Sequence, residues 1–358
     1  MKESIDGKAL VYCEGAFNTP NGKTAHGLVR FTERYDIVGI LDTKYEGQDA
    51  GEVLDGKRNG IPIFKDIEVA RKSLEQLGNT PRTMVIGLAP DGGRLPFEAK
   101  ATIKKALTYG WNVDSGLHDF LTNDKELTQL AETHQCTIRD VRKTPDRDKL
   151  HFFTGEIEKV DCLKLAVLGT DSALGKRTTA WIIVHGLRKV GLKAQMIGTG
   201  QTAWMQGAKY SMVMDSCIND FVSGEIEHAV VSAYKKEKPD VIVIEGQGSL
   251  MNPAYPGGFE ILAAGRPDYV ILQHAPKRVE YDGFPGYKLH SLNEQIHAIE
   301  TISGKKVIAI TVNHEMMATD TDIQEACKNI VLETKLPAFD VLAHGPEGLI
   351  QVIREILQ

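Results

Sequence analysis

Short apolar runs alternate with longer amphipathic stretches along residues 1–145. The runs have the length and apolar content of buried strands, and the stretches have the length of helices. The predicted strands are residues 9–13, 37–41, 61–64 and 84–88, and the predicted helices are residues 23–33, 67–77, 96–109 and 124–134. This alternation predicts an α/β domain, built on a parallel sheet with helices on both faces.

The second half of the chain continues the alternation after a polar break. Residues 144–159 are charged, contain Pro145 and show no sustained periodicity, so they mark a domain boundary. Strand-like runs follow at residues 163–168, 193–197, 240–244, 268–272 and 307–312. The sequence therefore predicts two α/β domains, residues 1–148 and residues 149–358.

A turn-rich loop joins the first strand of the second half to the helix that follows it. The loop runs from Gly169 to Gly175, and Lys176 opens the helix. Backbone N–H groups in such a loop and the positive end of the helix dipole attract phosphate oxygens, and the lysine adds a mobile cation. The residues predicted to hold a phosphate-bearing cofactor here are Gly169, Thr170, Asp171, Ser172, Gly175, Lys176, Arg177, Thr178 and Thr179.

Two features separate this loop from the usual phosphate-loop pattern. Five residues rather than four lie between its glycines, so Thr170 stands where the first glycine is expected. Arg177 occupies the place of the Ser or Thr that normally holds Mg²⁺, and hydroxyls follow at Thr178 and Thr179. The alternative interpretation is an ordinary glycine-rich turn with an exposed lysine.

Carboxylates elsewhere in the second half strengthen the phosphate prediction. Glu245 closes the apolar run of residues 240–244, and an acid at a strand tip beside a phosphate loop places Mg²⁺ or a polarised water. Asp220 is a second carboxylate that can serve as a base, although a helix N-cap explains it equally well. The loop and Glu245 together predict binding of a nucleotide or another phosphate ester.

Polar residues near other predicted strand ends are candidates for contacting a substrate or a base. Asn313 offers both a donor and an acceptor to a purine edge. Arginine can grip a carboxylate with two hydrogen bonds, and histidine titrates near neutrality. The predicted substrate-binding residues are Gln201, Thr202, Arg278, Arg94 and His118. Surface ion pairs, a satisfied loop histidine and a flexible turn at residues 198–205 are the competing interpretations.

The loop after the first predicted strand carries no comparable pattern. Residues 14–24 are rich in turn formers but lack G-x-G-x-x-G, so dinucleotide binding is not predicted there. Asp42 ends the second predicted strand, where a ribose-binding acid stands in dinucleotide-binding domains. We expect Asp42 to cap a turn instead.

Composition and charge narrow the class of protein. The 358 residues are 42% apolar and 25% charged, as in soluble globular proteins. A net charge of −6 and a pI near 6.0 give no support for binding nucleic acid or a membrane surface. Five scattered cysteines without a C-x-x-C pair indicate neither a disulfide framework nor a zinc site, and no metal site is predicted. A polar N-terminus predicts a cytoplasmic protein, and exposed sheet edges favour a homo-oligomer.

The phosphate loop and Glu245-Gly246 resemble those of dethiobiotin synthetase and of cobyric-acid-type amidating enzymes. Across nearly its whole length the chain also resembles a bacterial and archaeal family described as a domain of unknown function, with a Rossmann-like N-terminal half and a phosphate-loop C-terminal half. The strings that carry this second resemblance are residues 89–93, 115–118, 140–142, 198–202, 220–224 and 245–250. The resemblance implies N-acetylation of D-glutamate by acetyl-CoA, because one member of the family is a D-glutamate N-acetyltransferase.

Under that resemblance the phosphate loop would hold the phosphorylated ADP of CoA without cleaving it. Acetyl transfer needs a base, an oxyanion donor and cations for two carboxylates. Glu245 or Asp220 would be the base. Amides near Gly200 and Gly246 would donate to the oxyanion. Arg278 or Arg94 would bind the substrate carboxylates. Two alternatives stay open. One is an ATP- and Mg²⁺-dependent ligase or kinase using Lys176, Thr178 and Glu245, and the other is a nucleotide-binding regulatory module.

Overall fold

The computed structural model describes residues 4–357, which form two compact units. The first unit comprises residues 4–144 together with residues 201–208, and the second comprises residues 145–200 and 209–357. Each unit is a parallel sheet accompanied by helices, which confirms the α/β architecture predicted for both halves. The first unit ends at Thr144, ahead of the predicted division after residue 148, and it also takes in a distant segment.

Across the described residues, no helix has both the length and the apolar content that crossing a bilayer requires.

The first unit is a six-stranded sheet in which all neighbouring strands are parallel. Its strands are β1 (Lys8–Tyr12), β2 (Asp36–Leu41), β3 (Ile63–Phe64), β4 (Thr83–Ile86), β5 (Asn112–Ser115) and β6 (Ile138–Asp140). Its helices up to residue 144 are α1 (Lys23–Arg30), α2 (Ala50–Asp55), α3 (Ile67–Gln76), α4 (Ala99–Thr108) and α5 (Lys125–Thr133). The strand order is β3-β2-β1-β4-β5-β6. Strands β2 and β3 are added on one side of β1, and β4, β5 and β6 on the other, as in Rossmann-like sheets.

Strands β5 and β6 carry too few apolar residues to be found from hydrophobic runs. Asp114 of β5 is fully buried, and its carboxylate accepts two hydrogen bonds of 2.6 Å from the guanidinium of Arg139 in β6. The hydroxyl of Tyr35 donates to the same carboxylate at 2.5 Å. A buried charge is tolerated when it is paired and hydrogen-bonded in this way. A search for apolar runs therefore overlooks both strands.

The second unit is a seven-stranded sheet, also parallel between all neighbours. Its strands are β7 (Leu163–Gly169), β8 (Ala194–Gly198), β9 (Tyr210–Ser211), β10 (Val241–Glu245), β11 (Tyr269–His274), β12 (Lys306–Val312) and β13 (Ala338–Phe339). The remaining helices are α6 (Lys176–Lys189), α7 (Gln201–Met205), α8 (Asn219–Glu237), α9 (Phe259–Ala264), α10 (Leu292–Ser303), α11 (Asp320–Thr334) and α12 (Glu347–Leu357). The strand order is β13-β12-β11-β7-β10-β8-β9.

Helix α7 rules out the flexible turn that was one interpretation of residues 198–205. It belongs to the first unit, where Met205 is fully buried in the core. Just beyond the helix, the side-chain amide of Gln206 donates to the carbonyls of Gly27 and Phe31 at 2.8 and 2.9 Å. The sequence did not indicate this helix because five residues are too few to show a periodicity, and the partners of the segment lie far away in the sequence.

The order of the second sheet brings three predicted strand ends to one edge. Strand β7 lies between β11 and β10, with Gly169 in register with Gln273 and Val167 in register with Glu245. The carboxyl ends of these parallel strands therefore place Gly169, Glu245 and His274 at the same edge of the sheet. Ligands of open α/β sheets bind at such an edge.

Candidate functional site

The loop between β7 and α6 has a backbone suited to holding an anion. Strand β7 is buried up to Leu168 because its apolar side chains fill both faces of a central strand. Beyond it, Ala173 and Gly175 adopt positive φ angles of 52° and 91°, on either side of Leu174. Alternation of this kind turns successive N–H groups toward one point, forming a concave anion site.

The N–H groups of this loop are open to a ligand. Within residues 4–357, no hydrogen-bond acceptor faces the backbone amides of Ala173, Leu174, Gly175, Lys176 and Thr178. The helix itself resumes its pattern only at Thr179, whose N–H donates to the carbonyl of Gly175 at 3.0 Å. The start of α6 therefore presents a row of donors together with the positive end of the helix dipole. We call the loop Gly169–Gly175 with the first turn of α6 the phosphate loop.

The side chain of Lys176 folds back into the phosphate loop. Its ammonium donates to the carbonyl of Asp171 at 2.6 Å, and the residue is only 6% exposed. Burial lowers the pKa of Lys176 to about 8, against the opposing fields of Asp171 and Glu245. A buried ammonium whose pKa is lowered in this way would be stabilised by an anionic partner.

Gly246 makes room for this lysine. A Cβ atom at Gly246 would collide with the carbonyl oxygen of Val167 and would lie 3.1 Å from Cδ of Lys176. A side chain at that position would thus push the lysine out of its present path. The glycine after Glu245 has a packing reason that the sequence pattern alone does not reveal.

Glu245 lies buried at the tip of β10, 4% exposed. Its carboxylate accepts the backbone N–H of Thr199 at 2.8 Å, and the Thr199 hydroxyl donates to the Glu245 carbonyl at 3.0 Å. Burial raises the pKa of Glu245, although Arg177, Lys176 and backbone N–H groups favour the charged form. A buried carboxyl with a raised pKa beside a ligand site is suited to accepting a proton.

Asp171 joins three loops. Its fully buried carboxylate accepts the N–H of Ser172 at 2.7 Å and the side-chain amide of Asn252 at 2.8 Å. It also accepts the N–H of Asp282 and Nη1 of Arg278, both at 2.8 Å. With four donors around it, this carboxylate fixes the shape of the phosphate loop.

Arg278 and Asn313, expected to contact substrate and purine, brace the same loop. Arg278 forms a two-pronged ion pair with Glu315, both bonds 2.7 Å, besides its contact with Asp171. The amide of Asn313 donates to the carbonyl of Leu174 at 3.0 Å and accepts the N–H of Glu315 at 2.9 Å. Both side chains are therefore largely engaged within the protein. The sequence around Arg278 and Asn313 does not predict these partners.

The threonines of the phosphate loop differ in their surroundings. Thr179 is buried and donates to the side-chain carbonyl of Gln273 at 2.6 Å, an acceptor that it shares with Thr311. Thr178 is partly exposed, on the turn that carries the open amides. Thr170 lies 1% exposed and pairs its hydroxyl with Nδ1 of His274 at 3.0 Å.

The other predicted site residues lie in different places. Asp220 is exposed in the first turn of α8, where a negative charge suits the helix dipole. Thr202, in α7 of the first unit, is buried and pairs with the hydroxyl of Thr24 at 3.1 Å. Gln201, the first residue of α7, packs near Gly116.

Arg94 and His118 lie on two loops that meet at the carboxyl edge of the first sheet. Both are exposed, and the N–H of His118 donates to the carbonyl of Gly93 at 2.8 Å. The His118 ring lies so close to Gly93 that a Cβ atom there would collide with it. The two loops meet because β4 and β5 are neighbours.

The phosphate loop has the groups that a phosphate-binding site needs. Open amides, the Lys176 ammonium and the α6 dipole all favour negative charge at one point. Arg177 adds a further cation whose field reaches Glu245. Such groups are able to neutralise a phosphate without a metal ion. Thr178 is the first hydroxyl residue after Arg177, which occupies the usual Mg²⁺-holding position of the pattern.

Comparison with known families matches both halves of the chain. Residues 151–350 match the family described as "Domain of unknown function (DUF1611_C) P-loop domain". Residues 43–144 match its companion, "Domain of unknown function (DUF1611_N) Rossmann-like domain". These matches agree with the two sheets described above.

Similar proteins and one solved structure cover most of the chain. A "D-glutamate N-acetyltransferase" of Tritonibacter scottomollicae is 28% identical over 281 residues, which is 77% of this chain and 82% of that protein. A protein of the same name from a Pseudoalteromonas species is 29% identical over 275 residues, 75% of this chain and 80% of that protein. The crystal structure of a DUF1611 family protein from Anabaena variabilis superposes with a TM-score of 0.88 at 28% identity, over 97% of this chain and 99% of that chain.

Proposed function

This chain belongs to the DUF1611 family, with its Rossmann-like and P-loop domains, and we propose that it is an N-acetyltransferase. The acetyl donor is acetyl-CoA, the acceptor is the amino group of D-glutamate, and the product is N-acetyl-D-glutamate. The names of the two similar proteins support the reaction, at 28% and 29% identity. The phosphate loop supports acetyl-CoA as the acetyl donor.

The row of open amides at the start of α6 is the observation that carries this proposal. CoA contains a diphosphate, and such a group matches a loop that offers N–H donors and a buried lysine. Acyl transfer leaves that diphosphate intact, so no metal is required to activate it. Arg177 stands where a Mg²⁺-binding hydroxyl stands in the usual pattern, which suits a loop that binds phosphate without cleaving it.

Glu245 is the proposed base. It takes a proton from the ammonium of D-glutamate, and the freed nitrogen lone pair attacks the thioester carbonyl carbon. The C–N bond forms as the C–S bond breaks, and the sulfur leaves with the bonding electron pair. The nitrogen then loses its second proton to the thiolate, which gives the amide and the free thiol, and Glu245 releases the first proton to solvent. The raised pKa of Glu245 suits this role, whereas Asp220 is exposed in the first turn of α8.

The developing oxyanion needs a donor beside the base. The amide of Gly246 follows Glu245 directly and has no acceptor within the described part of the chain, which supports the role proposed for it. The amide of Gly200 instead points toward the Glu245 carboxylate. Arg278 is occupied by Glu315 and Asp171, so we assign it to holding the phosphate loop rather than a substrate carboxylate.

The test is thiol release from acetyl-CoA in the presence of D-glutamate, with L-glutamate as the control. We expect release that depends on D-glutamate and needs neither ATP nor Mg²⁺. Glu245→Gln, which keeps the size and the acceptor oxygen, should lower kcat by about 10²–10⁴-fold. Asp220→Asn, an exposed carboxylate removed in the same way, should leave kcat unchanged. Absence of thiol release from the wild-type protein with D-glutamate contradicts the proposal.

A second candidate is an ATP- and Mg²⁺-dependent ligase or kinase. The hydroxyl of Thr178 on α6 and the carboxylate of Glu245 at the neighbouring strand tip favour it, since both groups can hold Mg²⁺. ADP formation from ATP, Mg²⁺ and a carboxylate-bearing substrate, without thiol release from acetyl-CoA, would move the assignment to that class.

A further inference from the structure

His274 lies at the edge of the phosphate loop and has no part in the reaction proposed above. It ends β11, the strand next to β7, and its Nδ1 lies 3.0 Å from the hydroxyl oxygen of Thr170. The N–H of Thr170 donates to the carbonyl of Gln273 at 3.0 Å, and its carbonyl accepts the side-chain amide of Gln295 at 3.2 Å. Thr170 is therefore fixed on three sides, and it fixes the imidazole in turn.

The burial of Thr170 decides which imidazole nitrogen carries the proton. Its hydroxyl is inside the protein, and among the described residues Nδ1 of His274 is the only acceptor it meets. A buried O–H without an acceptor costs free energy, so the hydroxyl donates to Nδ1. Nδ1 must then be unprotonated, and the proton of the neutral imidazole resides on Nε2.

The Nε2–H group points away from the protein's own acceptors. Over residues 4–357, no hydrogen-bond partner faces Nε2, and this atom is not among the buried polar atoms that lack one, so it reaches solvent. Burial, with the nearby positive charge of Arg278, lowers the pKa of His274 to about 4. The imidazole is therefore neutral at physiological pH and offers one donor at the end of the phosphate loop where Thr170 lies.

We propose that His274 is a neutral donor whose Nε2–H binds a phosphoryl oxygen of the ligand in the phosphate loop. This inference rests on the proposed function only in naming that ligand as CoA. Lys176, Arg177 and Arg278 already place three cations at the loop, and a fourth would be repelled by all of them. A neutral imidazole extends the row of donors without adding a charge that must be desolvated. Thr170 is the positioning residue that keeps its proton on the outer nitrogen.

Two substitutions separate the donor from the rest of the side chain. His274→Asn retains an acceptor near the place of Nδ1, and hence a partner for Thr170, but it has no donor at the place of Nε2. His274→Gln is long enough to put an amide N–H near that place. We expect His274→Asn to raise the Kd for CoA by roughly tenfold or more, since the lost bond goes to a charged acceptor. His274→Gln should recover binding to within a few-fold of the wild type.

The pH dependence distinguishes a neutral donor from a cation. Lys176 and Glu245 titrate in both proteins, and so does CoA, so their effects cancel in the ratio of the Kd of His274→Asn to that of the wild type. This ratio should stay constant from pH 5.5 to pH 7.5. A ratio that falls as pH rises through 6 to 7 would mean that the imidazole binds as a cation and would overturn the proposal. Equal loss in the Asn and Gln variants, or no loss in either, would also overturn it.

A third variant removes the positioning group and leaves the imidazole in place. Thr170→Val lets the proton move between the two nitrogens, so we expect a loss of about two- to threefold in CoA affinity, smaller than that of His274→Asn. An unchanged Kd in Thr170→Val together with an unchanged Kd in His274→Asn overturns the proposal whether or not the Gln variant folds.

The same titrations separate this inference from the proposed function. If wild-type protein binds ATP with Mg²⁺ but not CoA, the acetyltransferase proposal fails, and the His274 comparison is made with ATP. A roughly tenfold loss of ATP binding in His274→Asn, recovered in His274→Gln, then supports the neutral donor although the reaction class has changed. No difference between these proteins with ATP would overturn the neutral donor as well.

Discussion

The loops that follow the central strands β1 and β7 share a topology but use their N–H groups differently. After β1, the amide of Phe17 donates to Asp42 at 2.9 Å and to the carbonyl of Cys13 at 3.1 Å. Farther along, the amide of Gly22 donates to the carbonyl of Thr19 at 2.9 Å. After β7, the donors at residues 173–176 and 178 meet no acceptor within the described residues, a longer open row than the amides of Lys23 and Thr24 leave at the start of α1. A strand, a loop and a helix make an anion site only where the chain leaves its own donors unused.

The lysines that open the two helices show the same contrast. Lys23 is the first residue of α1 and is exposed, whereas Lys176 is the first residue of α6 and is buried against the loop carbonyl of Asp171. Burying an ammonium costs stability unless an anion arrives to pair with it. The second loop therefore carries a cost that the first loop does not, and we attribute it to ligand binding.

The largest effect on stability should come from Asp171→Asn. The substitution leaves the half-buried Arg278 without one of its two carboxylate partners and removes acceptors from three loops. We expect the free energy of unfolding to fall by about 3 kcal/mol, as for other broken buried pairs. Chemical denaturation measures it, and a loss below about 1 kcal/mol would show that Asp171 does not hold the loops together.

Replacing Lys176 by Met should stabilise the protein near neutral pH. Burial lowers the folded-state pKa of Lys176 to about 8 from 10.5. Stability is therefore highest above pH 10.5, where the side chain is neutral in both states. It falls as pH drops from 10.5 through 8, because the buried side chain resists protonation. At pH 7 the wild type should therefore be less stable than Lys176→Met by about 3 kcal/mol, shrinking to about 1 kcal/mol at pH 10.

Lys23→Met is the matched control for that titration. It removes the lysine at the same place of the other helix, where the side chain is exposed. Denaturation curves of this variant and the wild type should coincide at both pH values. If the difference in free energy of unfolding between Lys176→Met and the wild type did not change with pH, it would contradict the burial of the charge.

Gly246→Ala should destabilise the protein and disturb the lysine together. The added Cβ meets the carbonyl of Val167 and the stem of Lys176, an overpacking that costs about 1–3 kcal/mol. Gly15→Ala in the loop after β1 is the control, since its φ is +68° but no atom lies within 4 Å of the new Cβ. That change should cost about 1 kcal/mol from backbone strain alone and leave CoA binding intact. Thermal unfolding and a CoA titration of both variants test the difference.

The smallest effect should come from Asp42→Asn. Asp42 caps the turn after β2, accepting the N–H of Lys44 at 2.8 Å and that of Phe17, and it has no ion pair in the described structure. An asparagine oxygen can accept the capping bond, so we expect a loss of about 1 kcal/mol or less. A loss as large as that of Asp171→Asn would mean that the two buried carboxylates play equivalent parts.

Hydrophobic alternation predicted most of the fold because a parallel sheet buries its central strands. The strands β1, β2, β4, β7, β10, β11 and β12 are all near their predicted ranges. What the pattern missed depends on contacts between distant residues, as the charged pair of Asp114 and Arg139 shows in β5 and β6. The capping role expected of Asp42 is confirmed, because its partners are local in the turn.

The candidate site was predictable where its chemistry is local and unpredictable where it is not. The phosphate loop and Glu245 follow from a strand, its glycines and a closing acid within short stretches of sequence. Arg278 and Asn313 were expected to face ligands because their side chains suit that chemistry. The structure engages them with Glu315 and with the carbonyl of Leu174, partners that a linear pattern does not reveal.

The most direct test of the account is a calorimetric titration of CoA into wild type, Lys176→Met and Lys23→Met at pH 7. If the open amides and the buried lysine after β7 form the CoA site, Lys176→Met should raise the Kd by about 10- to 100-fold. Lys23→Met, which alters the same position of the other helix, should bind as the wild type does. The predicted rise in stability of Lys176→Met separates lost binding from lost folding. Wild-type affinity in Lys176→Met, or an equal loss in Lys23→Met, would contradict the account.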